Sequence, residues 1–448
     1  MLDKPVPPIE ERRLGLELYL TSSPPLGGKL KKRPEDFIVN EISRPPPDDP
    51  TGDYQIARIK VYNWETNRLI RALSKKLGIS RRAIGFAGTK DKRALTTQLF
   101  SFKMSEDKLR DLDLKDVFVL DSYRSNRDLD LGDLHGNNFR ITIKDIGKTG
   151  EEIEGIMKAD MEEVVRINGY PNYFGIQRFG TVRPITHTVG LEILKGNYEE
   201  AVLTYIGNPY PMEREDAREA RERIEKDLDF KEALDYYPSF YLFERSIIHH
   251  LHKNEGDWKG AIDQLPLNLK MMFIHAYQSY VFNKILSERM RREIPIDRPI
   301  PGDIVLTLDK NSLPDRHNYI RVNKNNLVNI TELCEKKKAY VSAVLPGNES
   351  EFASGEMGAI ERKISSKDDI IPDNYDINEI RGIKSKGIRR EIKSTVFDLK
   401  WRLKENIAGV EKKSDYCGWD VEMDFSLYRG CYATTFLREI MKSNILDY

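Results

Sequence analysis

Apolar and polar positions change period repeatedly along this chain, and each change marks an element. Over EDFIVNEI, Phe37, Val39 and Glu41 alternate with Ile38, Asn40 and Ile42, the two-residue period of a strand. The RPPPDDPTGD stretch from Arg44 to Asp53 cannot continue a hydrogen-bonded ladder and predicts a loop. A second strand over Ile56 to Tyr62 leads into a helix from Asn67 to Leu77, with Leu69, Ile70, Leu73 and Leu77 on one face and Arg68, Arg71, Lys75 and Lys76 on the other. Gly78 is placed to end it. Ile84 to Ala87 reads as a short buried strand that delivers GTKDKRA onto a loop, and further strands are predicted at Val117 to Tyr123 and Phe139 to Ile143. Thr149 to Asn168 has the spacing of an amphipathic helix and precedes the loop GYPNYFGIQRFG. Beyond Arg183 the pattern turns helical: Glu213 to Leu228 is a highly charged helix, and Leu269, Met272, Phe273, Ala276 and Tyr280 follow helical spacing. Pro295 to Pro346 predicts a small sheet, Ser394 to Trp401 a strand and Arg429 to Ser443 a helix. The stretch up to Gly28, rich in Pro and Gly, reads as an arm or loop.

A length of 448 residues predicts two or three domains at about 100–200 residues each. No run approaches the roughly 20 apolar residues of a membrane helix, and MLDKPVPPIE lacks the apolar core of a signal peptide, so a soluble, cytoplasmic protein without membrane association is expected. Cys334, Cys417 and Cys431 form no CxxC pair and read as reduced thiols. His249, His250 and His252 have no HExxH pattern or cysteine pair near them, so they read as a helical surface and no metal is expected. Net charge is zero, but the charges are not evenly spread. Arg58 to Arg93 carries a balance of +9 and Arg381 to Lys404 one of +7, cancelled by acidic stretches such as Glu199 to Glu232. Two such basic segments predict the footprint of a polyanion.

The chemistry concentrates in GFAGTKDKRALTTQ, Gly85 to Gln98. It is not a phosphate-binding P-loop, because Asp91 follows Lys90 where Ser or Thr is required. Instead it offers one carboxylate among Lys90, Lys92 and Arg93. Those cations favour the ionised form, which suits a nucleophile or base, and equally describe a surface aspartate paired with its neighbours. Four other segments add to this. KKRPEDFIVNE places Lys31, two carboxylates and Phe37 at the start of a strand, and HGNNFRITIK offers Asn137 as donor and acceptor beside the ring of Phe139. NYFGIQRFG combines three aromatics, Phe179 among them, with Gln177 and Arg178, and GCYATTFLREIMK puts Tyr432 where a turn enters a helix. Rings and guanidiniums in such loops suit unpaired bases, which stack for about 1–3 kcal/mol each, or else pack the turns themselves.

Taken in order, KxxPEDFxVxE, GTKDKRAxTTQ, HGNxF, NYFGxQRFG and YATTxLRE resemble the TruD family of tRNA pseudouridine synthases over residues 31 to 440. The resemblance implies an α+β fold: a pseudouridine synthase core with a central, mostly antiparallel sheet, formed by residues 1–183 and 386–448, and an inserted α+β TRUD domain at 184–385. It implies Asp91 at the catalytic aspartate position, Lys31 as the basic group near it, Asn137 and Phe139 lining the uridine pocket, and Tyr432 closing the base site. Some relatives have Phe at that last position. GNESEFASGEMG, Gly347 to Gly358, is only loosely like the corresponding region of the family. With Phe37, Lys90, Gln177, Arg178 and Phe179 these residues form the expected substrate-binding set. The implied partner is tRNA, with uridine 13 as target and no cofactor or obligate protein partner. The competing reading is a noncatalytic RNA-binding or RNA-chaperone protein using the same basic and aromatic surface.

Overall fold

A computed structural model describes residues 4–104, 108–377, 379–380, 382–406, 418–444 and 447–448. Cys417 and Arg381, read above as a thiol and as part of a basic segment, lie outside the described residues. The chain divides into two compact units, one of Met1–Pro5, Tyr19–Tyr170 and Ser394–Tyr448, the other of Val6–Leu18 and Pro171–Lys393. The insertion expected at 184–385 falls within the second.

The first unit begins with β1 (Phe37–Ser43), β2 (Tyr54–Tyr62), helix α1 (Thr66–Leu77), β3 (Ile84–Phe86), β4 (Leu95–Lys103), β5 (Val117–Ser125), β6 (Leu134–Ile146) and helix α2 (Gly150–Ile167). The apolar stripe of α1 buries Leu69, Ile70, Leu73 and Leu77 against Ala57, Ile59 and Val61 of β2 and Phe100 and Phe102 of β4. Its ends are set locally. The Glu65 carboxylate accepts from the Asn67 and Arg68 amides, and Gly78 closes the helix at φ 70°, the left-handed conformation that glycine adopts at low cost. α2 starts with a reciprocal cap between Thr149 and Glu152.

The second unit is helical around α3 (Leu267–Arg291), whose Phe273, Ile274, Tyr277, Phe282 and Ile285 are buried. A neighbouring helix, Thr186–Lys195, crosses it closely at Gly190, where a Cβ would lie 2.1 Å from the Phe273 carbonyl oxygen. An antiparallel sheet in the order β10-β9-β7-β8 completes this unit, from β7 (Ile304–Leu308), β8 (Pro314–Arg321), β9 (Ala339–Leu345) and β10 (Ile388–Glu391). The N-terminal stretch read as an arm is partly structured: Ile9–Arg13 is helical, and Asn283 Nδ2 donates to the Leu14 carbonyl at 3.0 Å. The chain then returns to the first unit with β11 (Phe397–Asn406), β12 (Gly418–Tyr428) and helix α4 (Ala433–Met441).

The eight-stranded sheet runs β11-β12-β6-β1-β4-β2-β5, with β3 on β4. Only β1 and β4 pair in parallel; the other pairings are antiparallel. The family resemblance implied this mostly antiparallel α+β core. Among the described residues no helix is long and apolar enough to cross a membrane, and no three His, Cys, Asp or Glu side chains converge as metal ligands do. The histidine run lies on the helix Leu242–Lys253, where His250 Nε2 pairs with Asp257 at 2.8 Å.

Candidate active site

The loop between β3 and β4 is tied down by its backbone. The Lys90 amide donates to Thr66 Oγ1 at 2.9 Å, and Gln98 Nε2 donates to the Gly88 carbonyl at 3.3 Å. The Lys90 side chain turns inward, its Nζ 2.7 Å from Glu41 Oε2, with the two side chains only 3% and 2% exposed. Neither atom has a hydrogen bond of good geometry, so the contact is a charge pair and not a directed bond. The other oxygen, Glu41 Oε1, accepts the Leu99 amide at 3.3 Å. With Lys90 anchored inward, the next residue, Asp91, faces outward and is 49% exposed.

Lys31 meets Asp91, with Nζ 3.6 Å from Oδ1, and is itself largely buried. The same ammonium sits 4.3 Å from the centroid of Phe37, a cation–π contact. Lys31 has φ 54°, in the left-handed region. A lysine there costs about 1–2 kcal/mol, so the fold holds this residue against a local preference in order to place its ammonium beside the carboxylate.

Register sets what faces the loop. Glu41 pairs with Asn137 and Val39 with Phe139 across β1 and β6, so all four side chains lie on one face of the sheet. The Asn137 side-chain oxygen is sealed from solvent and has no hydrogen-bond partner. Rings run along this face: Phe37 meets Phe139 edge-on at 6.2 Å, Phe139 stacks on Phe425 at 5.3 Å, and Phe425 meets Phe436 of α4 at 4.9 Å. Tyr432, one turn before Phe436, caps α4, and its carbonyl accepts from the Tyr170 hydroxyl at 3.1 Å and the Thr435 hydroxyl at 2.8 Å.

Lys31, Phe37, Lys90, Asp91, Asn137, Phe139 and Tyr432 thus belong to the first unit, and Gln177, Arg178 and Phe179 to the second. Several expectations need correction. Lys90 is consumed by Glu41 and presents no ammonium to a substrate. Phe37, 1% exposed, supports Lys31 from beneath and offers no open face, and Phe139 is 6% exposed because Phe425 covers it. Phe179 is fully buried with its ring against His187, so it is core. The basic segment of Arg381 to Lys404 is not one surface. Arg389 is spent on Glu361 at 2.7 Å and on Ser342, while Arg390 donates to Asn172 and lies 4.2 Å from the Phe174 ring. By contrast Arg58, Arg68, Arg71, Lys75, Lys76, Arg81, Arg82, Lys92 and Arg93 are all exposed. Sequence reasoning missed Glu41, Thr66 and Gln98 as the braces of the loop; the available signal was a glutamate at an inward position of a strand.

The chain is similar to known proteins of one family. The profile described as tRNA pseudouridine synthase D (TruD) matches residues 13–440. A Methanococcoides burtonii protein named "Probable tRNA pseudouridine synthase D" is 41% identical over 436 residues, covering 97% of this chain and 98% of its own. A protein of the same name from Methanosarcina barkeri is 41% identical over 443 residues, covering 99% of both chains. Among solved structures, a Methanosarcina mazei protein described as "Putative tRNA pseudouridine synthase D (TruD)" superposes with a TM-score of 0.85 at 40% identity over 98% of both chains. The chain belongs to the TruD family of tRNA pseudouridine synthases, which are isomerases.

Proposed function

We propose that this protein isomerises uridine 13 of tRNA to pseudouridine in the cytoplasm, with Asp91 as the carboxylate that acts on the substrate and the second unit as the module inserted into the synthase core. The observation that carries the reading is the Asp91–Lys31 pair at 3.6 Å. It is an outward carboxylate on a braced loop, beside an ammonium held by a strained backbone and an aromatic ring. The reaction breaks the N1–C1′ bond and forms C5–C1′; N1 gains a proton and C5 loses one, so nothing is oxidised. Attack at ribose C1′ and addition at base C6 both need an ionised carboxylate against the uridine. The unpaired Asn137 oxygen suits the N3–H of uracil, with Tyr432 as a ring to stack on and Phe139, covered by Phe425, supporting that face from beneath, and a base reaches such a site only when extruded from its stack.

Asp91→Asn keeps shape and removes the charge. Single-turnover release of the C5 hydrogen from tRNA at saturating enzyme should vanish while binding persists, because affinity comes mainly from phosphate contacts and stacking. A folded, RNA-bound Asp91→Asn protein that releases hydrogen at the unaltered rate would remove Asp91 from the chemistry. Unaltered protein that binds tRNA without releasing hydrogen would establish a noncatalytic binder instead.

A further inference from the structure

The second unit contains a cavity of about 350 Å³, none of whose lining residues belongs to the first unit. Arg178 from the NYFGIQRFG segment, His275 and Gln278 from α3, Lys384 at the end of the short strand Ile383–Lys384, and Lys386 and Gly387 from the turn before β10 face it, and among the described residues no carboxylate lines it. That size lies at the lower end of small-ligand sites and accommodates one nucleotide.

The walls are built to hold their shape. Gln278, 5% exposed, donates to Ser385 Oγ at 2.7 Å and to the Pro346 carbonyl at 2.5 Å, joining α3 to both neighbouring loops. Arg178 Nε donates to Ser279 Oγ at 3.0 Å, and that hydroxyl donates to the His275 carbonyl at 2.7 Å. Gly387 has φ 78°, and a Cβ on Gly347 would lie 2.0 Å from the Gly387 nitrogen, so the lysine-bearing loop packs backbone to backbone against the next. Asp376 and Glu349 reach Lys384 at 2.6 Å and Lys386 at 3.0 Å from outside the cavity. These pairs are exposed and exchange readily for another anion. Burial, and then the charge of Arg178, push the His275 imidazole below its ordinary value.

We infer that this cavity takes one nucleotide of the RNA other than the uridine being isomerised, its phosphate held by Arg178, Lys384 and Lys386. The inference rests on the reading of tRNA as substrate. It is tested by tRNA-binding titrations of the full-length protein between 50 and 200 mM salt, a range over which phosphate contacts show as counterion release. Lys384→Gln/Lys386→Gln, at exposed positions that tolerate change, should weaken binding about tenfold and reduce the slope of log K against log salt by about 0.7–0.9 per lost contact. Arg178→Gln should act in the same direction, and Lys336→Gln, on an exposed pair with Glu332, should not. Unchanged slope and affinity in the double variant, with tRNA still bound by the unaltered protein, would overturn the inference. So would calorimetric binding of free uridine 5′-monophosphate that the double variant loses while its tRNA slope stays intact. If the unaltered protein neither binds nor modifies tRNA, the functional reading falls and this one with it.

Discussion

Replacing Glu41 by Gln isolates the brace behind Asp91. At 2.7 Å and an effective dielectric constant of about 20, the Lys90–Glu41 attraction is about 6 kcal/mol, and desolvating each ion costs several kcal/mol, so the intact pair adds little net stability. Its effect is positional. Glu41→Gln leaves the Lys90 ammonium buried without a counter-charge, at a cost of about 3–5 kcal/mol if the loop stays in place. The chain has one escape, which is to swing Lys90 out to water, and that drags the adjoining Asp91 away from Lys31. Urea unfolding should therefore show a loss of stability of up to about 3 kcal/mol, and single-turnover hydrogen release should fall by about 10- to 100-fold, with tRNA affinity changed less than about threefold. The Leu99 amide keeps an acceptor in either variant, since glutamine retains the side-chain oxygen it uses. Removing both charges, as Glu41→Gln/Lys90→Met, should restore most of the stability, so a double-mutant cycle should give a coupling of at least about 2 kcal/mol. A Glu41→Gln protein with unaltered stability and unaltered single-turnover rate would refute the idea that this pair fixes the loop.

Three further outcomes separate surface from interior. Arg389→Gln strands the fully buried Glu361 and should cost about 3–5 kcal/mol in unfolding free energy with no change in the salt slope of tRNA binding, whereas Arg81→Gln/Arg82→Gln should leave stability within about 0.5 kcal/mol and reduce that slope. Phe139→Ala, stacked on Phe425 at 5.3 Å, should lower stability by about 3–5 kcal/mol as well as slowing turnover, seen as a lower urea midpoint. Burial pushes the His187 imidazole down to about 4, and its Nδ1 is sealed without a partner. Between pH 6.5 and 4 the unfolded chain therefore takes up a proton that the folded chain refuses. Stability falls through that window by about 1.4 kcal/mol per pH unit, to an upper bound of about 3 kcal/mol because part of the ring meets solvent, and nothing is contributed above it. Urea midpoints at pH 7, 5.5 and 4.5 should fall less steeply with decreasing pH in His187→Phe; an identical pH dependence would exclude this group.

Elements with a clean period were legible in the sequence because periodicity reports burial directly. The α1 stripe of Leu69, Ile70, Leu73 and Leu77 packs as its spacing requires. β12 was missed although Val421, Met423, Phe425 and Leu427 alternate through it, because Asp420, Glu422 and Asp424 between them suggest a solvated segment. Those carboxylates are matched by cations on neighbouring strands, Glu422 by Arg402 and Lys404, and Asp424 by Arg140. The same ambiguity governs the site. Asp91 stood out because its cations are adjacent in sequence, but a count of charges does not say which are spent internally, and so Arg389 and Arg390 looked like surface while Lys90 looked available to a substrate. A buried ion requires a partner, and such partners are often far along the chain: Glu361 lies 28 residues from Arg389, and Asp160 lies 282 from Lys442. One class of these can be read without coordinates. Phe37, Val39 and Glu41 are the inward positions of a single strand, and a carboxylate third in that series cannot stay unpaired, so Glu41 by itself demands a cation from another segment. The lysine next to the one carboxylate singled out for chemistry is that cation, which means the strand period and the GTKDKRA loop together contain the information that Asp91 is held from behind.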